Sequence, residues 1–219
     1  MATLAKQLSI VTTNGELYQN LKDFLLNVIK TLVSSIEAKD AYTRGHSERV
    51  RNLCLMMAEG LELEPGEKEV LSWSALLHDI GKLGVPEDIL TKPGRLTEDE
   101  YTILKEHPER GFRILAPIEQ LRDSLDGIRY HHERIDGTGY PFGLKGGEIP
   151  LHARIIAVAD TYDAMTSRRA YRPQLSDELT IAEMKRVGGT QLDPDIVELF
   201  VRLMRGTFLE EQVSAAGVG

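Results

Sequence analysis

The stretch His78-Asp79-Ile80-Gly81-Lys82 closes an apolar run that starts at Pro65-Gly66 and passes through Val70, Trp73 and Leu77. A proline followed by apolar residues at three- and four-residue steps predicts a helix, and this one delivers a histidine and an aspartate at its end. Three further groups of histidines stand outward from it: Gly45-His46-Ser47, His107-Pro108 and His131-His132-Glu133. Five of the six histidines are therefore grouped, with Asp79 and the later Asp160 beside them in the count of carboxylates. Imidazole and carboxylate are the side chains that bind first-row divalent ions near neutral pH, so the pattern points to a metal site.

The rest of the chain reads as helix. Leu17, Leu21, Phe24, Leu25, Val28, Leu32 and Ile36 recur at helical steps, which predicts a long amphipathic first helix. Its stripe is read as core-facing, with part of it suited to pairing with a second copy, because near-heptad spacing is also how helices dimerise. Thr97 with Glu100 forms a capping box that opens a helix through Ile103 to His107, where Pro108 disfavours further regular helix. Asp193-Pro194 is an N-cap and first-turn proline for a last helix using Val197, Phe200, Val201 and Met204. Gln212 to Gly219 reads as a frayed tail. No convincing alternating strand run is present, so the expected class is all-α. The expected organisation is an N-terminal helical extension over 1–31, a helical domain over 32–205 and a tail over 206–219.

Periodicity also orients the polar candidates. His46 shares a stripe with Val50, Leu53 and Met57, and Asp160 one with Ile156, Ala164 and Ser167, so both are expected to be buried. A buried carboxylate is costly unless it is paired or metal-bound, which strengthens the metal reading. His131 and His132 follow Leu121, Leu125 and Ile128, and adjacent helical residues diverge by about 100°, so two rings can approach one ion from different angles.

Composition sets the outer bounds. The 219 residues suffice for one domain with a real core, and the lone cysteine, Cys54 between Leu53 and Leu55, fits a small buried apolar position. A net charge of −8 without a basic run argues against a nucleic-acid polymer as partner. No apolar stretch reaches the roughly 18 residues of a membrane helix and no leader pattern precedes it, so no membrane association and a cytoplasmic location are expected.

Taken in order, the motifs resemble the HD-GYP domain, a branch of the HD superfamily of metal-dependent phosphohydrolases. They read Asp40-Ala41-Tyr42-Thr43-Arg44-Gly45-His46-Ser47, His78 to Lys82, Lys92-Pro93-Gly94, His107-Pro108, His131-His132-Glu133-Arg134-Ile135-Asp136-Gly137-Thr138-Gly139-Tyr140-Pro141, and Asp160 to Arg169. The resemblance runs from about Leu32 to Met204. It implies an HD-type helical bundle holding two or three metal ions, commonly iron or manganese, and hydrolysing cyclic di-GMP to linear pGpG, to GMP or to both, in bacterial signalling. It implies His46, His78, Asp79 and Asp160 around one ion and Asp79, His107, His131 and His132 around the other. Asp79 would bridge, as a two-oxygen carboxylate is able to do across ions about 3.5–4 Å apart. Some members carry a glutamate where this chain has Tyr42, and that residue goes with a third ion, so two divalent ions are expected here. Mixed imidazole and carboxylate favour iron or manganese, then zinc, over magnesium.

Such a site is suited to phosphodiester hydrolysis without a covalent nucleophile. Lys82, one turn beyond His78, is placed to aim an ammonium at a phosphate oxygen, and the resemblance implies Arg169 and Arg172 as phosphate ligands. Gly139 and Tyr140 belong to a glycine-rich loop, Asp136 to Gly147, which the resemblance places at the border of the active site; substrate contact, partner contact and plain packing over the core all stay open for it. Asp136 and Asp163 are expected to orient ligating histidines rather than to bind metal, and His152 matches no ligand position. Two partner contacts are open besides cyclic di-GMP: a homodimer through the first helix, and a signalling protein at the Gly139–Pro141 loop. Two other functions also stay open, hydrolysis of another cyclic dinucleotide and a non-catalytic binding module.

Overall fold

The computed structural model describes residues 2–37, 45–167 and 174–216, without the side chains of several residues in the first helix and of those from 206 onward. Tyr42, with the rest of the Asp40–Arg44 motif, and Arg169 and Arg172 lie outside the described residues, as do the side chains of Leu25 and Ile36.

The described residues form helices and turns, with one isolated bridge between Gly188 and Leu192 in place of any strand. In chain order the helices are α1 (Ala2–Glu37), α2 (His46–Gly60), α3 (Pro65–Leu77), α4 (Glu87–Leu90), α5 (Glu98–Lys105), α6 (His107–Leu115), α7 (Leu125–Tyr130), α8 (Leu151–Thr166), α9 (Asp177–Val187) and α10 (Pro194–Ala216). The expected caps are in place. Thr97 and Glu100 make both reciprocal bonds of the capping box on α5, and the Asp193 carboxylate accepts from the Asp195 and Ile196 amides at the start of α10.

One core gathers Val50, Cys54 and Met57 of α2, Leu71 and Ala75 of α3, Ile155, Ile156 and Ala159 of α8, and Val197, Phe200 and Val201 of α10. A second, smaller cluster joins Val33 of α1, Leu77, Ile80, Leu115, Leu121, Leu125 and Ile128. The candidate site draws on helices of both clusters, α2 and α8 of the first and α6 and α7 of the second, so its side chains are carried on elements whose other faces are fixed by packing.

Four expectations need correction. The first helix presents Leu17, Leu21, Phe24, Val28 and Leu32 to solvent, and of its apolar residues it is Ile29 and Val33 that pack on the second cluster. The helix runs unbroken past position 31 to Glu37. The last helix continues to Ala216, past the point where a frayed tail was expected, because no proline interrupts it and Gly206 alone costs only about 1 kcal/mol. Pro108 does not end helical structure: α5 stops at Lys105, and α6 begins at His107 with the proline in its first turn, where the missing N–H is no loss. Finally, α3 stops at Leu77 and a 3-10 turn spans Ile80–Gly84, so Lys82 reaches the site across that turn rather than along a continuing helix.

Candidate metal centre

Three of the five clustered histidines are aimed by their own local backbone. His78, His107 and His131 stand at or near helix ends, where the carbonyl three residues earlier is within reach of the ring. Their Nδ1 atoms lie 2.7, 2.8 and 2.6 Å from the carbonyl oxygens of Ala75, Leu104 and Ile128. A carbonyl can only accept, so each Nδ1 carries the proton and each Nε2 offers a lone pair on the opposite side of the ring. Those Nε2 atoms converge: His46 and His78 approach to 3.3 Å, and so do His107 and His131. Facing lone pairs at this distance repel unless a proton or a cation lies between them.

His46 opens α2. Gly45 holds φ +72°, the left-handed region open to glycine, and the Glu37 carboxylate at the end of α1 accepts from the Gly45 and Ser47 amides at 2.6 and 2.8 Å. The fold thus brings together two sets of donors, His46 with His78 and Asp79, and His107 with His131 and His132. Asp79 connects them. Its Oδ2 lies 3.5 Å from His78 Nε2 and 3.9 Å from His46 Nε2, while its Oδ1 lies 3.3 Å from His107 Nε2. Asp160 Oδ1 is 3.3 Å from His46 Nε2. Gly81 makes this approach possible, because a Cβ there would overlap the His107 carbonyl and the Gly111 amide.

Residues 30–196 match the family model of the HD domain. The chain belongs to the HD domain family. Over 208 residues it is 40 % identical to a cyclic di-GMP phosphodiesterase of Thermotoga maritima, which takes in 93 % of this chain and 56 % of that protein. It is 40 % identical over 176 residues to a 3'3'-cGAMP-specific phosphodiesterase of Vibrio cholerae, covering 80 % of this chain and 38 % of that one. The chain spans about half the length of the curated relatives it matches. In three dimensions it is similar to a crystal structure of a cyclic GMP-AMP-specific phosphodiesterase of V. cholerae, with a TM-score of 0.65 at 19 % identity, covering 81 % of this chain and 48 % of that one. That likeness establishes the helical fold.

The second layer around this HD domain centre is built mainly by Asp163. Its Oδ2 is 2.7 Å from His46 Nδ1, and both oxygens are gripped by Arg49, Nε at 2.6 Å and Nη2 at 3.0 Å. The expected orienting role of Asp163 is thus matched by its position. Asp136 does otherwise: it binds Arg134 and the Thr138 amide and hydroxyl, closing a tight turn of its own loop rather than reaching a histidine. His152 is half-buried at the start of α8 and belongs to neither donor set.

The electrostatics follow from this packing. His46 is buried, which by itself disfavours its charge, but Asp160 and Asp163 outweigh that and raise its pKa to about 9. Burial and the His107 imidazole push His132 down to about 3, and burial with the His132, His78 and His107 imidazoles lowers His131 well below the usual range. His78 is lowered chiefly by burial. Burial opposes ionisation of both carboxyls, yet Lys82 with His78 and His107 holds Asp79 well below the ordinary range, and His46, His78 and His132 hold Asp160 below it. Asp160 is not fully buried as expected; its side chain keeps 21 % exposure because it lines an open cleft.

That cleft has a volume of about 440 Å³, and its lining includes His46, Asp79, Lys82, His107, His131, His132, Tyr140, Asp160, Thr161 and Gln191. Lys82 Nζ is 2.5 Å from Asp79 Oδ2. The Tyr140 ring lies 4.8 Å from that of His132, and Lys105 places its ammonium over the rings of Tyr101 and Tyr140. Gly139 is required by close packing, since a Cβ there would overlap the Arg134 amide and Glu133. The Tyr140-Pro141 peptide bond is cis. Glu133 anchors the loop, with a carboxylate only 3 % exposed that accepts the amides of Phe142, Gly143 and Leu144 at 2.7, 3.2 and 3.0 Å.

Sequence reasoning assigned no role to Glu37, Arg49, Lys105 or Glu133. Only Glu133 carried a signal, as a charge next to a candidate ligand. The other three act through contacts made by the fold.

Proposed function

We propose that this chain is a metal-dependent phosphodiesterase hydrolysing cyclic di-GMP to linear pGpG, GMP or both, in bacterial second-messenger signalling. The observation that carries the reading is the reach of Asp79: one carboxylate extends to both histidine sets inside a single open cleft. His46, His78, Asp79 and Asp160 would hold one divalent ion, and Asp79, His107, His131 and His132 the other. The donor chemistry fits, since the Nε2 lone pairs already point inward and two carboxylates supply negative charge. Five imidazoles favour iron or manganese over oxygen-preferring magnesium. When bound, such a pair supplies charge neutralisation on phosphate oxygens and lowers the pKa of water to about 7 for in-line attack on phosphorus.

The chain's own residues do the rest. Lys82 lines the cleft beside Asp79 and offers its ammonium to a non-bridging phosphate oxygen. Gly139 lets Tyr140 lie against His132 as a cleft wall on which a base can stack. Arg169 and Arg172 are proposed as phosphate ligands on the resemblance to the HD-GYP family alone.

Hydrolysis of a mixed cyclic dinucleotide is the second reading. It is favoured by 40 % identity to the 3'3'-cGAMP-specific enzyme, equal to that with the cyclic di-GMP enzyme. Both readings are tested by anaerobic incubation of iron- or manganese-loaded protein with each dinucleotide, resolving products by chromatography beside Asp79→Ala. Metal-dependent linear product from cyclic di-GMP, absent in the variant, is expected. Product from 3'3'-cGAMP alone selects the second reading. No turnover of either by protein holding two ions moves the function to binding.

A further inference from the structure

From Ile10 to Val28 every described side chain of α1 is exposed. Ile10, Leu17, Leu21, Phe24, Val28 and Leu32 are each between 40 and 63 % exposed although they are large and apolar. The helix is held to its own body at the other end and by another face. Ile29 and Val33 pack on the second apolar cluster, Lys30 Nζ pairs with Glu48 at 2.7 Å, and Glu37 accepts the amides that flank His46. Helical stability in proteins comes mostly from packing an apolar face. Thr12, Thr13 and Gly15 also weaken this stretch as an isolated helix, glycine by about 1 kcal/mol relative to alanine. A helix of this composition needs something against its stripe.

We infer that a second copy of this chain covers it, with the two α1 helices parallel and in register. Ile10, Asn14, Leu17, Leu21, Phe24 and Val28 follow one another at alternating steps of four and three residues, the d and a positions of a heptad. That keeps the stripe on one line for about 27 Å at 1.5 Å per residue. Charge selects the occupant. Across a two-fold axis each seam residue faces its own copy, so a charge there would repel itself. The charged residues of this span, Glu16, Lys22, Asp23 and Lys30, all fall at b or c positions, away from the seam. Asn14 supplies the register. As the polar residue at an a position it pairs its amide with that of its own copy only when the helices run parallel, which is how a single asparagine specifies alignment.

The test reads mass and geometry, independently of turnover. Sedimentation equilibrium of the metal-loaded chain should give twice the chain mass, and Leu21→Glu with Phe24→Glu should return the mass of one chain while far-UV circular dichroism shows the body still helical. Since Cys54 is fully buried, Leu17→Cys and Val28→Cys variants report alignment by mild oxidation. Each should cross-link to its own copy. A single-chain mass for the unmodified protein would overturn the proposal and leave the stripe to another protein or to a further segment of a longer chain. A dimer that survives the Leu21 and Phe24 substitutions would place the interface elsewhere. A dimer lost on those substitutions but yielding no homotypic cross-link would overturn the parallel register.

Discussion

At the residue scale the centre depends on side chains that do not themselves point into the cleft. Asp163 accepts a hydrogen bond from His46 Nδ1–H and is itself held by Arg49, so the orientation of one candidate ligand rests on a buried pair. Asp163→Asn keeps an oxygen for that hydrogen bond but removes the charge and half of the Arg49 grip. We expect metal affinity to fall roughly 10–100-fold, as is usual when the carboxylate behind a ligating histidine is altered. Competition with a chromogenic chelator measures it, and unchanged affinity would remove Asp163 from this role. The clustering of the candidate ligands was readable because histidine and aspartate grouped among apolar helical stripes are conspicuous. Their support was less so: Asp136 and Asp163 look alike in sequence, and only the fold decides that one meets His46 and the other closes a turn with Arg134 and Thr138.

At the scale of elements, helices were legible wherever the apolar period was clean, as in α3 and α10. The stripe of α1 was equally clear, but periodicity shows that a face is apolar and not what covers it. The loop from Asp136 to Gly147 was legible as a loop and no further, because its shape comes from Glu133, which draws three amides onto one carboxylate. Hydrogen bonds to a charged group contribute about 1.5–3 kcal/mol each, and a released loop regains part of this from water. Glu133→Ala should therefore cost about 2 kcal/mol in urea unfolding. More tellingly, it should free Tyr140 from its place beside His132, raising KM for the dinucleotide while leaving two metals per chain. Gly139→Ala should act in the same direction, since its Cβ has no room beside Arg134. Loss of metal along with the KM effect would instead make the loop part of the metal site's own support.

For the whole molecule, the centre gathers charged and polar groups from helices of both apolar clusters, so its occupancy should control stability, and pH should reveal how. In the metal-free chain His132, with its pKa near 3, and His78 and His131, also lowered, stay neutral in the fold but charge on unfolding below about pH 6.5. The unfolded state then binds more protons, and stability falls as pH drops from 6.5 toward 3. His46 has the opposite sign. Its pKa is raised to about 9, so its contribution is complete below 6.5 and is lost as pH rises through 9. The metal-free chain should thus be most stable near pH 6.5 and weaken on both sides. Ligation requires the neutral ring, so metal uptake near pH 7 must release the proton of His46, and the alkaline decline should vanish when metal is bound. Urea unfolding across pH 5–10, with and without a chelator, distinguishes the states. The chelated protein should unfold at lower urea throughout, with the gap widening above pH 8. Identical curves would mean that the two histidine sets are held by the surrounding clusters alone and that metal contributes nothing to the fold.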